Sequence, residues 1–164
     1  MAQVAGESFP LPPMVLRNLA DRSFDKRKQG ATEVEKIMRR LREGGQREAI
    51  RRVLGLLASD FACSVNSNNR KGGLLGLASC AIGLVADISE HLDLVVPPVL
   101  KSFHDQEPRV RYYACESLFN IAKICRCVWG GRSWRHWEPL AGPPRTAAPL
   151  KTPAWTTALP RAPR

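Results

Sequence analysis

The sequence predicts an all-α protein built of antiparallel helix pairs stacked side by side. Three observations predict it. Apolar residues recur at three and four positions in successive segments, Pro and Gly punctuate the joints between those segments, and one pattern returns about every forty residues.

Pro12 and Pro13 can occupy the first turn of a helix, where a missing N–H does no harm, and Met14, Val15, Leu16 and Leu19 give it a short apolar face. Ser23 can cap the second helix, whose apolar positions are Phe24, Ala31, Val34, Ile37, Met38 and Leu41, and Gly44-Gly45 ends it. A third helix carries Ile50, Val53, Leu54, Leu57 and Phe61. After the polar connector Ser64 to Asn69, Leu74, Leu77, Ala78, Ala81 and Ile82 predict a helix that is apolar almost all round and must be covered on several sides. Its Gly72, Gly73, Gly76 and Gly83 make sense if they let neighbouring backbones come close. Ser89 to Phe103, with Leu92, Val95, Val96, Val99 and Leu100, predicts a fifth helix, kinked or broken at Pro97-Pro98, and Pro108 opens a sixth bearing Val110, Ala114, Leu118, Ile121 and Ala122.

Lys28, Lys71 and Arg111 align as the second helix of each pair begins, at spacings of 43 and 40 residues. Periods of ~40 to 47 residues made of helix pairs mark HEAT and armadillo arrays, in which stacking creates the core because no pair can bury its apolar face alone. Leu94 to Ile121, with Pro97-Pro98 in the first helix, Asp105 in the turn and Val110-Arg111 opening the second, resembles a HEAT unit. That resemblance implies that Asp105 and Arg111 pair along the stack.

Two contiguous stretches resemble one family in particular. Arg70-Lys71-Gly72-Gly73-Leu74-Leu75-Gly76-Leu77-Ala78-Ser79-Cys80 and Arg109-Val110-Arg111-Tyr112-Tyr113-Ala114-Cys115-Glu116-Ser117-Leu118-Phe119-Asn120-Ile121 look like the opening repeats of the Vac-fourteen family of vacuole-morphology scaffolds. Asp25-Lys26-Arg27-Lys28 stands in the matching place upstream, and the resemblance runs from about Leu11 to Lys123. It implies a HEAT-repeat scaffold that assembles a PIKfyve-type lipid kinase with a Sac-domain phosphatase, controls phosphatidylinositol 3,5-bisphosphate, and sits peripherally on endosomal, lysosomal or vacuolar membranes.

The chain departs from that family after Ile124. Residues 126 to 164 contain seven prolines, seven basic residues and one acidic residue, with no helical periodicity. The expected organisation is therefore a flexible N-terminus over residues 1–10, HEAT-like repeats over 11–125, and a disordered Pro/Arg/Trp-rich tail over 126–164. Because the composition changes inside a helical pattern, the tail reads as the product of read-through or a shifted frame joined to an N-terminal fragment. Self-assembly and phosphatase binding, which the family places in its C-terminal region, are expected to be lost.

The net charge of +10 divides unevenly, with 18 basic and 14 acidic residues up to Cys125, so most of the basic excess lies in the tail. A basic nucleic-acid-binding protein is the competing class, and a truncated product competing with the full scaffold is a third. No specific nucleic acid is expected. No apolar run approaches the ~20 uninterrupted residues of a bilayer span, and the N-terminus lacks a secretory pattern, so a cytosolic chain with reduced thiols is expected. Cys63, Cys80 and Cys115 then read as small core residues.

Candidate sites are few. Arg70-Lys71-Gly72-Gly73 at a helix start could cradle a phosphate, but it lacks the Walker spacing and packing explains it better. Cys125, Cys127 and His136 lack the paired ligand spacing of a zinc site. Neither His91 nor His104 stands in a nucleophile or metal motif, so neither enzyme activity nor a cofactor is expected. Arg39, Arg40, Arg47, Arg51, Arg70 and Lys71 are the candidates for meeting an acidic partner, although Glu35, Glu43 and Glu48 can neutralise part of that field. Of Tyr112 and Tyr113, adjacent on a helix, one must point inward.

Overall fold

The computed structural model describes residues 10 to 129, with side chains to residue 125. The helices are α1 (Pro13–Leu19), α2 (Phe24–Glu43), α3 (Arg47–Leu56), α4 (Ser67–Leu84), α5 (Leu92–Lys101) and α6 (Pro108–Trp129), with no strand among the described residues. They follow one another as three pairs, α1 with α2, α3 with α4, and α5 with α6, with α3 reaching α4 through its last turn, Leu57–Phe61. The second helices lie side by side as one layer, α4 between α2 and α6, and the first helices lie against its back. This is an all-α helical repeat.

The expected core is largely the observed one. Val15, Leu19, Val34, Met38, Val53, Leu54, Leu57, Leu74, Leu77, Val95, Val99, Val110 and Ile121 are buried in one continuous cluster. Four residues assigned to apolar faces are instead open. Met14 is 61%, Phe24 50% and Leu100 49% exposed, and Ala122 also faces out. Of the thiols among the described side chains, only Cys80 is buried, while Cys63 and Cys115 are exposed. A small side chain among apolar neighbours leaves its facing undetermined: the phase of α6 turns Cys115 outward, and Cys63 falls in the turn after α3.

Boundaries move in physically informative ways. Ser23 sits at the N-cap of α2 without capping it; instead Asp21 turns back and accepts the Ser23 amide at 2.8 Å. Gly44 and Gly45 end α2 as expected, Gly45 with φ of 64°. The end of α3 widens into a π-turn over Leu57–Phe61, which keeps Leu57 and Phe61 on the buried side. Pro97 and Pro98 do not break α5, which runs through them with Val95 and Val99 facing inward. A 3-10 segment, Val85–His91, precedes α5, and another, Ser102–His104, follows it. Helix α6 extends to Trp129, beyond the loss of apolar periodicity at Ile124, and the rest of the expected tail lies outside the described residues, as do residues 1–9.

Helix α4 is the centre of the fold. From Lys71 to Leu84 only Leu75 and Ile82 are not buried. A helix covered on every side needs neighbours at backbone distance, and its glycines supply that. A β-carbon on Gly72 would fall on the Leu19 carbonyl at the end of α1, one on Gly73 would lie 2.5 Å from the Ala62 nitrogen after α3, and one on Gly83 would lie 2.7 Å from the Glu35 carbonyl of α2. Three helices thus close on α4 at places where any larger residue would push them off. Ser117 of α6 adds a buried bond from the fourth side, its hydroxyl donating to the Leu74 carbonyl at 2.9 Å.

The same burial explains a departure from the sequence reading. Ser67–His104 contains an 18-residue window apolar enough to cross a bilayer, and 67% of that window is buried inside the stack. Its hydrophobicity is spent on covering neighbours, as in the core helix of a large domain.

Glycine substitutions separate close packing from intrinsic helix propensity. Gly72→Ala should lose about 1–3 kcal/mol in urea denaturation, because the clash is with backbone and cannot be relieved by a rotamer. Gly55→Ala, where a β-carbon meets nothing within 4 Å, should gain up to about 1 kcal/mol. Val85, a β-branched residue at φ of 53°, should raise the melting temperature when changed to Gly.

Candidate partner-binding surfaces

One arginine recurs in the same role in all three pairs. Arg27 donates from Nη1 to the carbonyls of Asp21 and Arg22 at 2.7 and 2.9 Å. Arg70 donates to Ser64 and Val65 at 3.0 and 2.7 Å. Arg111 donates to Asp105 and Gln106 at 2.8 and 3.2 Å. Each therefore reaches back six and five residues and closes its own turn. The turn side chain six residues before it, Asp21, Ser64 or Asp105, accepts the amide two residues on. The repeat register is accordingly Arg27, Arg70 and Arg111, with spacings of 43 and 41 residues, one position earlier than Lys28 and Lys71 in the first two pairs.

The arginine also looks forward along the stack. Nε and Nη2 of Arg70 form a fork on the Asp105 carboxylate at 2.6 and 3.0 Å. Lys71, 7% exposed, donates to Glu107 at 3.0 Å. Both pairs join α4 to the turn that begins α6. This corrects two expectations. The Asp105 carboxylate pairs with Arg70 of the preceding pair, while Arg111 touches only the Asp105 backbone, because a residue six positions away in the same turn presents its carbonyl to that arginine. And Arg70 and Lys71 are occupied inside the stack, so neither is a free cation for a partner or a phosphate.

The other basic candidates lie on α2 and α3. Arg39 pairs with Glu35 one turn earlier at 2.7 Å, and Arg47 lies 3.5 Å from Glu90. Arg40, Arg51 and Arg52 are exposed with no ion pair within 4 Å among the described residues. Glu43 and Glu48, expected to neutralise them, form no such pair there either.

Sequence reading missed a cleft of about 360 Å³ in front of α4, lined by Phe24 and Arg27 of α2 and by Pro108, Arg109, Tyr112 and Tyr113 of α6. The two helices converge at their N-terminal ends there. Arg27 Nη2 donates to the Tyr113 hydroxyl at 3.0 Å, and the guanidinium carbon stands 5.5 Å from the centre of that ring. Tyr113 is buried and meets Tyr112 edge-on with ring centres 6.0 Å apart, while Tyr112 is 66% exposed. The available signal was the alignment of Arg27 with Arg70, which a one-residue misregister hid.

Burial would raise the Asp105 carboxyl, but the Arg70 fork, the Glu107 amide and the charges of Arg70 and Arg111 outweigh it and hold the carboxyl below the ordinary range. Glu107 is likewise lowered, by the Ser67 hydroxyl and the Lys71 ammonium. A carboxyl depressed in the folded chain contributes its full stability above its unfolded value of about 4 and loses it as the pH falls through the lower folded value. Stability should therefore decline below about pH 4. Asp105→Asn should remove much of that decline and cost about 1–3 kcal/mol at neutral pH, since it leaves a half-buried guanidinium without its counter-charge. Urea titrations of both forms at pH 7 and pH 3 check this.

Comparison with known proteins places these helices. The Vacuolar 14 Fab1-binding region matches residues 68–129, which is α4 through α6. The chain is 47% identical over 116 residues to the Protein VAC14 homolog of Arabidopsis thaliana. It is 39% identical over 115 residues to that of Schizosaccharomyces pombe, and 40% identical over 114 residues to the Vacuole morphology and inheritance protein 14 of Saccharomyces cerevisiae. These alignments cover 71%, 69% and 68% of this chain but 16%, 14% and 13% of the relatives. No solved structure matches. Alignments of this length and identity, with the Fab1-binding region laid over the arginine-linked α4 and α6, make the VAC14 proteins homologues of the helical part of this chain.

Proposed function

We propose that this chain is a non-catalytic, HEAT-type scaffold segment whose α4–α6 region binds a Fab1/PIKfyve-type phosphatidylinositol 3-phosphate 5-kinase. The observation that carries the proposal is the match of residues 68–129 to a Fab1-binding region, coinciding with the part of the stack that the Arg70–Asp105 and Lys71–Glu107 pairs hold rigid. A preorganised helical surface loses little entropy when a partner docks, which suits a protein that holds others in place. Through the kinase the chain would serve the synthesis of phosphatidylinositol 3,5-bisphosphate, in the cytoplasm and peripherally at endosomal, lysosomal or vacuolar membranes. A Sac-domain phosphatase would not be held by these helices, since the resemblance places its binding in the family's C-terminal region.

Arg39, Arg40, Arg47 and Arg51 remain candidate contacts of this function, on the side of the stack formed by the outer faces of α2 and α3. The described residues hold no group of three His, Cys, Asp or Glu placed to share a metal ion. The Cys125, Cys127 and His136 set reaches outside the residues whose side chains are described.

Immobilised chain incubated separately with purified kinase and purified phosphatase tests the reading. The kinase should be retained and the phosphatase should not. Retention of the phosphatase alone, or of neither protein, contradicts the proposal.

A further inference from the structure

Of the three repeated arginines, Arg27 alone is both buried and without an acid among the described residues. Arg70 has the Asp105 carboxylate of the next pair. The residue that would play that part for Arg27 is Ser64, whose hydroxyl cannot carry the charge and instead accepts the Asn66 amide. Arg27 is nevertheless 4% exposed, and its Nε has no hydrogen-bond partner among the described residues. The Asp21 carboxylate, in its own turn, is engaged by the Ser23 amide and by Lys26 and feels Arg27 only through space. A guanidinium held in a packed site without a counter-ion is unfavourable, and it attracts an anion more strongly than a solvated one would.

That charge lies beside the cleft, whose other walls are Phe24, Pro108, Tyr112 and the exposed Arg109. Phe24 at 50% and Tyr112 at 66% exposure are large apolar surfaces left open next to it. We infer that this cleft receives an acidic segment of the partner, one carboxylate bonding to Arg109 over the charge of Arg27 while an adjacent apolar side chain packs between Phe24, Pro108 and Tyr112. The partner's identity as the lipid kinase rests on the proposed function above; the chemistry of its docking segment does not. A phosphorylated headgroup fits less well. A polyanion needs several accessible cations, and here one of the two arginines is almost wholly buried and the rest of the lining is aromatic or proline.

The test measures affinity of the full chain for purified kinase, with melting curves recorded for every variant. Arg109→Glu and Tyr112→Ala change exposed side chains and should each weaken binding tenfold or more with melting unchanged. Arg109→Lys should stay within about threefold, and Arg17→Glu, at an exposed position on α1 outside the cleft, should have no effect. The affinity should fall as salt rises. A photo-crosslinker in place of Tyr112 should mark a kinase segment containing Asp or Glu. Cleft variants that bind as the unaltered chain does, or a marked segment without a carboxylate, would overturn this inference and leave kinase binding standing. An unaltered chain that does not bind kinase would overturn both. Binding to phosphatidylcholine vesicles containing phosphatidylinositol 3-phosphate that is lost with Arg109→Glu would overturn it in favour of a lipid site.

Discussion

The stack depends on a guanidinium that must satisfy two turns at once. Arg70 closes the Ser64–Val65 carbonyls behind it and the Asp105 carboxylate ahead of it. Helix α4 can meet both only if the α6 turn returns to one place beside it. Lys71 with Glu107 repeats the demand one residue later. Burial of apolar faces would hold the pairs together in several sliding registers, since it has no direction. The ionic fork has direction, and it selects one of them.

Close backbone approach supplies the second selection. Gly72, Gly73 and Gly83 admit the end of α1, the end of α3 and the middle of α2 against a single helix. These contacts fix α4 along its length, whereas the arginine fork fixes only its beginning. Local irregularities then absorb what remains. The π-turn after α3 adds the residue needed to bring Phe61 and Ala62 against Gly73, and the positive φ of Val85 turns the chain sharply from α4 toward α5. Both lie at helix ends, where a change in backbone direction disturbs the fewest hydrogen bonds.

Much of this was legible in the sequence because periodicity reports burial. Val34, Met38, Leu54, Leu77, Val99 and Ile121 fall inward as their spacing requires. The glycines of α4 were legible for a similar reason: each costs helix stability, so four of them in a helix apolar all round imply neighbours packed against its backbone. What periodicity does not report is the partner of a polar residue. Arg70 and Lys71 look like surface charge beside Arg39 and Arg40, and only coordinates distinguish a cation held by Asp105 from one open to solvent. The aligned lysines misled by one residue because Lys71 is also buried, so two adjacent basic positions could equally serve as the anchor. Pro97 and Pro98 were overweighted: missing N–H groups stop a helix when nothing else holds it, and here Val95 and Val99 are buried on its inner side.

The three arginines also show how a structural residue becomes available for binding. Each makes the same two bonds to its own turn, so none can be lost without opening that turn, and that need preserves the charge whatever happens next door. At Arg70 the neighbouring turn provides an acid, and the charge is consumed within the stack. At Arg27 the neighbouring turn provides Ser64, and the charge is left over, buried against Tyr113 beside an open aromatic cleft. A serine in one turn, where the next turn has an acid, thus changes what the preceding arginine can do without moving it. An interaction surface arises here from a missing partner inside a repeating pattern, and the place to look for such surfaces in a helical stack is wherever the pattern leaves a buried charge unanswered.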